Sequence, residues 1–191
     1  MNHYVVIFGA FLGIFGGLAY IRDTLRGVTK PNRMTWLMWG VAPLIGAIAS
    51  FAAGVTWAVL PVFISGLMPL FVFGASFVNP AAYWKLTSFD YVCGVFSVLA
   101  LVLWGITREP VVAIIFAILS DFSALVPTLI KTWKHPETES GLAYILGGIT
   151  PATSFSAIPV YYFAAYAFPG YLVIASLLMV FAIFRHKLFR L

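Results

Sequence analysis

The sequence predicts an all-α integral membrane protein with seven transmembrane helices, arranged as two parallel three-helix repeats joined by a linker helix. Three observations predict it. Composition comes first: 62% of the 191 residues are hydrophobic and 9% are charged, against about 45–50% apolar and about 25% charged in a soluble domain. A fold this small leaves a large share of its surface exposed, so water cannot be the only solvent for so apolar a chain. Disorder is excluded as well, because disordered chains are poor in apolar residues. The second observation is the one-sided placement of Lys and Arg, and the third is an internal repeat.

A spanning helix needs about 20 residues, which gives this chain room for seven or eight spans and none for a separate soluble domain. Apolar runs interrupted by charge fall at about 4–21, 34–53, 57–78, 91–107, 111–130, 141–163 and 169–185. The first run lacks a basic start and a small-residue cleavage site, so it reads as a retained helix and not as a signal peptide. It ends at Arg22-Asp23. Asn32, in Pro31-Asn32-Arg33, is placed to cap the second span. The second span carries Pro43, the sixth carries Pro151, and Pro169 stands at the start of the seventh. The expected organisation is a first three-helix bundle over 1–80, a linker-helix region over 81–109 and a second bundle over 110–191.

With seven spans, the Lys and Arg residues of the first, third and fifth loops and of the C-terminal tail all fall on one side. They are Arg22, Arg26, Lys30 and Arg33, then Lys85, then Lys131 and Lys134, then Arg185, Lys187 and Arg190. Only Arg108 falls on the other side. The positive-inside rule then places the chain in a cytoplasmic (inner) membrane with the N-terminus outside and the C-terminus in the cytoplasm. The net charge of +5 is explained by basic residues facing anionic headgroups, so the lipid bilayer is the expected partner and nucleic acid is not.

An offset of 108 residues superposes the first three spans on the last three. Pro43 falls on Pro151, Pro61 on Pro169, Gly40 on Gly148, Ala49 on Ala157, Thr24 on Thr132 and Arg26 on Lys134. Coincident prolines carry the most weight, because proline is costly inside a helix. Equivalent helices four spans apart run in the same direction, so the repeats are parallel and related by an axis along the membrane normal, a plan known among transporters.

The segment Pro127-Thr128-Leu129-Ile130-Lys131-Thr132-Trp133-Lys134, continuing to Glu137-Thr138-Glu139-Ser140-Gly141-Leu142, resembles a PQ-loop with Thr128 in place of the glutamine. In the first repeat Ala19-Tyr20 stands where Pro-Gln would be, followed by the basic stretch from Arg22 to Trp36. With the 3 + 1 + 3 plan, the chain resembles the SWEET/PQ-loop transporter superfamily, which includes SemiSWEETs and PnuC vitamin transporters. The resemblance implies a small-solute carrier working by alternating access, with two triplets rocking about a central pocket and Pro127 acting as a hinge. Pro43 and Pro151 are further hinge candidates. The asparagine that sugar carriers use in the third helix of each triplet is absent: Leu67 and Met68 stand at that depth in the third span and Ser176 in the seventh, while Asn79 lies too far toward the cytoplasmic end. The resemblance therefore implies a small polar solute, sugar-like or another small metabolite, without naming it. Two rivals are a PnuC-like vitamin or nucleoside facilitator and a non-transporting PQ-loop receptor.

Asp121 is the sharpest chemical feature, an acid near the middle of the fifth span. A charged residue at that depth costs about 2.5–3.5 kcal/mol on insertion scales, which suggests a role facing the bundle interior. A carboxyl that can change protonation while buried suits a proton relay or a cation ligand; the alternative is packing, with hydrogen bonds to Ser120, Ser123 or a neighbouring helix. Thr150, Thr153 and Ser154 in the sixth span, Ser50 in the second and Ser123 in the fifth complete the polar pocket candidates. Trp36 and Trp39, three apart on one helical face, could stack on a ring-shaped solute, with interfacial anchoring as the alternative. Their repeat partners are Tyr144 and Gly147, and that of Asp121 is Gly13. Trp84, Trp104, Trp133 and the pair Tyr161-Tyr162 read as interfacial belt. Arg22 or Arg33 paired with Glu137 or Glu139 would make an inner gate.

Cys93 is the sole cysteine, and His3, His135 and His186 lie far apart. No disulfide, metal ligand set or cofactor is expected. The phosphate-binding, nucleophile-elbow and zinc-protease motifs are absent from the sequence, so it does not read as an enzyme. A monomer or a small homo-oligomer is expected.

Overall fold

In a computed structural model the chain is described over residues 2–107 and 109–188, apart from the side chains of 100, 101, 104 and 186–188. Arg108 and Arg190 therefore lie outside the described residues, as do the side chains of Trp104, His186 and Lys187. The described residues contain no strand. They form α1 (His3–Leu25), α2 (Arg33–Ala52), α3 (Val59–Ala75), α4 (Ser88–Thr107), α5 (Pro110–Lys134), α6 (Gly141–Ala152) and α7 (Phe163–Leu188), with short 3₁₀ turns at Pro80–Ala82, Pro136–Thr138 and Thr153–Ala157. The segments His3–Leu25, Arg33–Ala52, Pro110–Lys134 and Phe163–Arg185 are long and apolar enough to cross a membrane; Val59–Ala75 and Ser88–Leu99 are shorter apolar helices. The protein is an all-helical membrane protein.

Local chemistry sets the ends. Asn32 caps α2 as its position suggests, its side chain accepting from the Met34 and Thr35 amides at 3.1 and 3.3 Å. The capping side chain is itself held, because its Nδ2 donates to Asp90 Oδ1 at 2.5 Å. The predicted sixth span needs correction. It is not one helix over 141–163: α6 stops at Ala152, tightens into the 3₁₀ turn and gives way to an irregular link. Thr153 and Ser156 donate their hydroxyls to the carbonyls three residues back, both at 2.7 Å, which competes with the α-helical pattern. Ile158 precedes Pro159, and a residue before proline avoids the helical region. Tyr161 and Tyr162 consequently sit in the link and not in a span, and α7 begins at Phe163, which puts Pro169 inside the helix.

α3 packs against both α1 and α2, and α7 packs against both α5 and α6. The two groups meet through α1 on α6 and α2 on α5, while α4 lies mainly along α5. Small residues permit the close approach of α1: a Cβ at Gly13 would lie 2.9 Å from the Thr150 side chain, and one at Gly17 2.8 Å from Met68. A buried hydroxyl ladder stitches α2 to α5, with Thr128 Oγ1 donating to Thr35 Oγ1 and Thr35 Oγ1 donating to the Ala124 carbonyl, each at 2.8 Å. Ser97 of α4 reaches the Ser120 carbonyl of α5 at 2.8 Å.

Contacts between connecting segments define the two ends of the bundle. At one end the Lys30 amide donates to the Thr138 carbonyl at 3.0 Å and Asn79 to the Leu25 carbonyl at 2.8 Å. There too, Arg33 donates to the Ser76 carbonyl and lies over Phe77, and Arg185 of α7 donates to the Trp133 carbonyl. At the opposite end the Asn2 amide reaches the Ser156 carbonyl, His3 stacks on Trp57 and Tyr162 reaches the Ala53 carbonyl.

Candidate functional site

A cavity of about 120 Å³ lies between the two helix groups. Among the described residues six helices line it, and none of the lining residues belongs to α4. Gly13, Gly17 and Tyr20 come from α1; Trp36, Trp39 and Pro43 from α2; Ile64, Ser65, Met68 and Pro69 from α3. Asp121 and Leu125 come from α5; Ala143, Tyr144, Gly147 and Thr150 from α6; Leu172, Ala175, Ser176 and Met179 from α7. Of the residues singled out from the sequence, Asp121, Thr150, Trp36, Trp39 and Pro43 meet here. Thr153, Ser154, Ser50, Ser123, Pro127 and Pro151 do not line the cavity. Thr153 sits at the end of α6 against Gly9 of α1, Ser154 and Ser50 are buried elsewhere, and Ser123 bonds back to the Leu119 carbonyl of its own helix at 2.8 Å.

Asp121 is 2% exposed. Its Oδ2 accepts from the Tyr171 hydroxyl of α7 at 2.8 Å, and its Oδ1 is buried without a partner. Of the hydrogen bonds a packing role would use, the one to a neighbouring helix is formed, and those to Ser120 and Ser123 are not. Most hydroxyls on the cavity wall are already committed. Thr150 donates toward the Gly9 and Leu146 carbonyls, Ser65 to the Pro61 carbonyl, and Tyr20 and Tyr144 both donate to Glu139.

Four aromatic rings from three helices form a continuous wall. Tyr20 lies 4.4 Å from Trp36, Trp36 5.4 Å from Trp39, Trp39 6.1 Å from Tyr144, and Tyr144 6.3 Å from Tyr20 by ring centroids. Successive planes are steeply inclined, at 72°, 78° and 85° for the last three pairs. The indole nitrogens of Trp36 and Trp39 are buried with no hydrogen-bond partner. Trp36 is 6% exposed, so it stands inside the bundle and not in an interfacial belt.

Behind this wall, toward the basic end, lies a buried ion pair. Lys131 Nζ and Glu139 Oε1 are 2.5 Å apart, with side-chain exposures of 2% and 0%. Lys131 also donates to the Lys30 carbonyl and lies 5.0 Å from the Trp84 ring centre. Glu139 Oε2 accepts from Tyr20 at 2.7 Å and Tyr144 at 2.9 Å. The expected gate pairs do not form: Arg22 pairs with Asp23 at 2.9 Å, Arg33 is spent on Ser76, and Glu137 faces His135 at 3.4 Å. Lys131 takes Glu139 because both lie at the inner rim of the same link, one on the last turn of α5 and the other two residues before α6.

Sequence reasoning missed Tyr20, Tyr171 and Lys131 as site residues. Lys131 carried a signal that was available, a Lys and a Glu eight residues apart flanking a short link. Tyr171 is 50 residues from Asp121, and nothing local to either position joins them. Comparison with family models, curated proteins and solved structures returns no match.

Proposed function

We propose that the protein is a small-solute carrier of SWEET/PQ-loop type, with two three-helix bundles (α1–α3 and α5–α7) moving about the cavity and α4 linking them. The observation that carries this reading is the composition of the cavity wall. At the offset of 108 residues, six pairs of equivalent positions line it together: Gly13 with Asp121, Gly17 with Leu125, Trp36 with Tyr144, Trp39 with Gly147, Ile64 with Leu172 and Met68 with Ser176. Equivalent positions of both halves meeting at one cavity support the repeat beyond the coincident prolines. The packing agrees, since the third helix of each group touches the first and second, and the groups meet reciprocally through α1 on α6 and α2 on α5.

Seven crossings suit the lengths. The 17 residues of α3 rise roughly 26 Å, and the 12 residues of α6 with the 5 of its 3₁₀ continuation roughly 28 Å, close to a hydrocarbon core of about 30 Å. Basic loops gathered at one end support an orientation with the N-terminus outside and the C-terminus in the cytoplasm of an inner membrane. Asp121 is roughly 16 Å along the helix from Pro110 and roughly 20 Å from Lys134, a mid-membrane depth that suits a proton or cation coupling site. Pro43, Pro127 and Pro151 each lie inside a helix, where the missing N–H makes them candidate hinges. The protein is not read as an enzyme, and a single chain holds the whole pathway.

The aromatic wall favours a second reading, a facilitator for a ring-bearing solute that needs no ion gradient. Reconstitution separates the two. Solute counterflow into vesicles that holds at zero pH gradient supports a facilitator, accumulation that follows an imposed pH gradient supports coupling, and saturable binding without flux supports a receptor and overturns both.

A further inference from the structure

The cavity favours one class of solute. We propose that it binds a compact organic ammonium ion carrying an oxygen acceptor, held between the Tyr20–Trp36–Trp39–Tyr144 wall and the Asp121 carboxylate. The inference rests on the carrier reading only for what happens after binding.

Charge points to a cation. Among the described residues Asp121 is the single carboxylic acid on the wall, and no Lys, Arg or His lines it. The nearby ammonium of Lys131 is already matched by Glu139 behind the rings, which leaves the Oδ1 of Asp121 as the unmatched acceptor. A buried carboxylate oxygen without a partner is costly, and a cation offsets that cost.

Backbone chemistry leaves carbonyls short of donors in residues of the same wall. Pro43, Pro69 and Pro151 have no N–H, so the carbonyls four residues back, those of Trp39, Ser65 and Gly147, lack their helical donors. All three of those residues line the cavity. Carbonyl oxygens freed in this way are suited to cationic ligands.

The rings point to an alkylated head. A ring face attracts a cation whose charge is spread over methyl or methylene groups, at about 0.5–2 kcal/mol per contact, and four rings belong to this wall. The hydroxyls of Tyr20, Tyr144, Ser65 and Thr150 are spent on protein acceptors, so few hydroxyl donors remain on the wall for a polyol. The two indole N–H groups without acceptors ask for one oxygen on the solute. Size agrees: an apolar cavity of about 150 Å³ takes up benzene, so about 120 Å³ suits a head of similar size and excludes a nucleoside or disaccharide in this state.

The test uses choline and its neutral isostere, in which a quaternary carbon replaces the quaternary nitrogen, with glucose as a third probe. Binding to the purified full chain in detergent is followed by calorimetry and by thermal shift at constant ionic strength. The expected result is saturable choline binding, at least about tenfold weaker binding of the isostere, and a similar loss for choline in Asp121→Asn. That variant keeps an acceptor for Tyr171, and its own melting curve reports whether it folds. Trp39→Phe, which keeps a ring and removes the N–H, is expected to bind choline more weakly than wild type while retaining its preference over the isostere. Equal binding of choline and isostere, undiminished choline binding in a folded Asp121→Asn, or binding of glucose but not choline overturns the inference. Flux of a neutral solute without choline binding would leave the carrier reading standing and remove this one; choline binding without flux would do the reverse.

Discussion

Replacing Glu139 with Gln removes one charge from the pair that closes the basic end of the bundle. The neutral amide leaves the Lys131 ammonium, 2% exposed by its side chain, with only the Lys30 carbonyl and the face of Trp84. It also takes a charged acceptor from the Tyr20 and Tyr144 hydroxyls. Two unit charges 4 Å apart interact by about 4 kcal/mol at an effective dielectric near 20, and breaking a buried pair by removing one partner costs about 3–5 kcal/mol. For a chain of this size that corresponds to a fall of about 6–20 °C in melting temperature. Lys131→Met alone strands the carboxylate and costs a similar amount. The double variant Lys131→Met/Glu139→Gln leaves no unpaired charge at this site, so it is expected to melt above either single variant, which requires a coupling energy larger than the about 3–5 kcal/mol that one single variant loses. Thermal unfolding of the four proteins in one detergent measures the cycle. Single variants within about 1 °C of wild type, or a double variant that loses the sum of the two single losses, would refute the claim that these groups act as a desolvated pair.

Other substitutions test the scaffold and the cavity separately. Thr35→Val keeps shape but leaves the Thr128 hydroxyl without the acceptor it uses at 2.8 Å, and is expected to cost about 1–3 kcal/mol in thermal unfolding. Asn32→Asp retains a good capping side chain yet places a second carboxylate where Asn32 now donates to Asp90. Because both positions are buried, it is expected to destabilise the protein at low and high salt alike and by more than Asn32→Ala, which should cost about 1–3 kcal/mol. Gly17→Val puts side-chain atoms where even a Cβ would lie 2.8 Å from Met68, so it is expected to shrink the cavity and weaken solute binding; unchanged affinity in a folded variant would place the solute elsewhere.

The sequence made the membrane class, the cap at Asn32 and the inward placement of Asp121 readable, because each is governed by local chemistry or by the solvent the chain must satisfy. The end of α6 was obscured by apolarity: in a run where nearly every residue suits lipid, hydropathy does not register the Ser/Thr back-bonding after Pro151 or the constraint before Pro159. Trp36 and Trp39 were legible as a shared face, but their burial depended on α1 and α6 bringing Tyr20 and Tyr144 against them, which no spacing within α2 encodes. Charge counting assigned Lys131 to topology alone, because a count cannot separate a solvated lysine from one folded against Glu139. Thr153 and Ser154 fall outside the cavity because α6 ends at Ala152 and the turn after it packs Thr153 on Gly9 and buries Ser154.

Alternating access is the central claim, and the single native cysteine makes it directly testable. With Cys93 replaced by Ala, a cysteine is introduced at Ser65 or at Ser176, both on the cavity wall. Each protein is reconstituted into vesicles and exposed to a membrane-impermeant thiol reagent from one face or the other. The account predicts that either position is labelled from both faces, at rates that a bound solute slows in parallel. Labelling from one face only, at both positions and with or without solute, would contradict it and leave a one-sided binding pocket in place of a carrier.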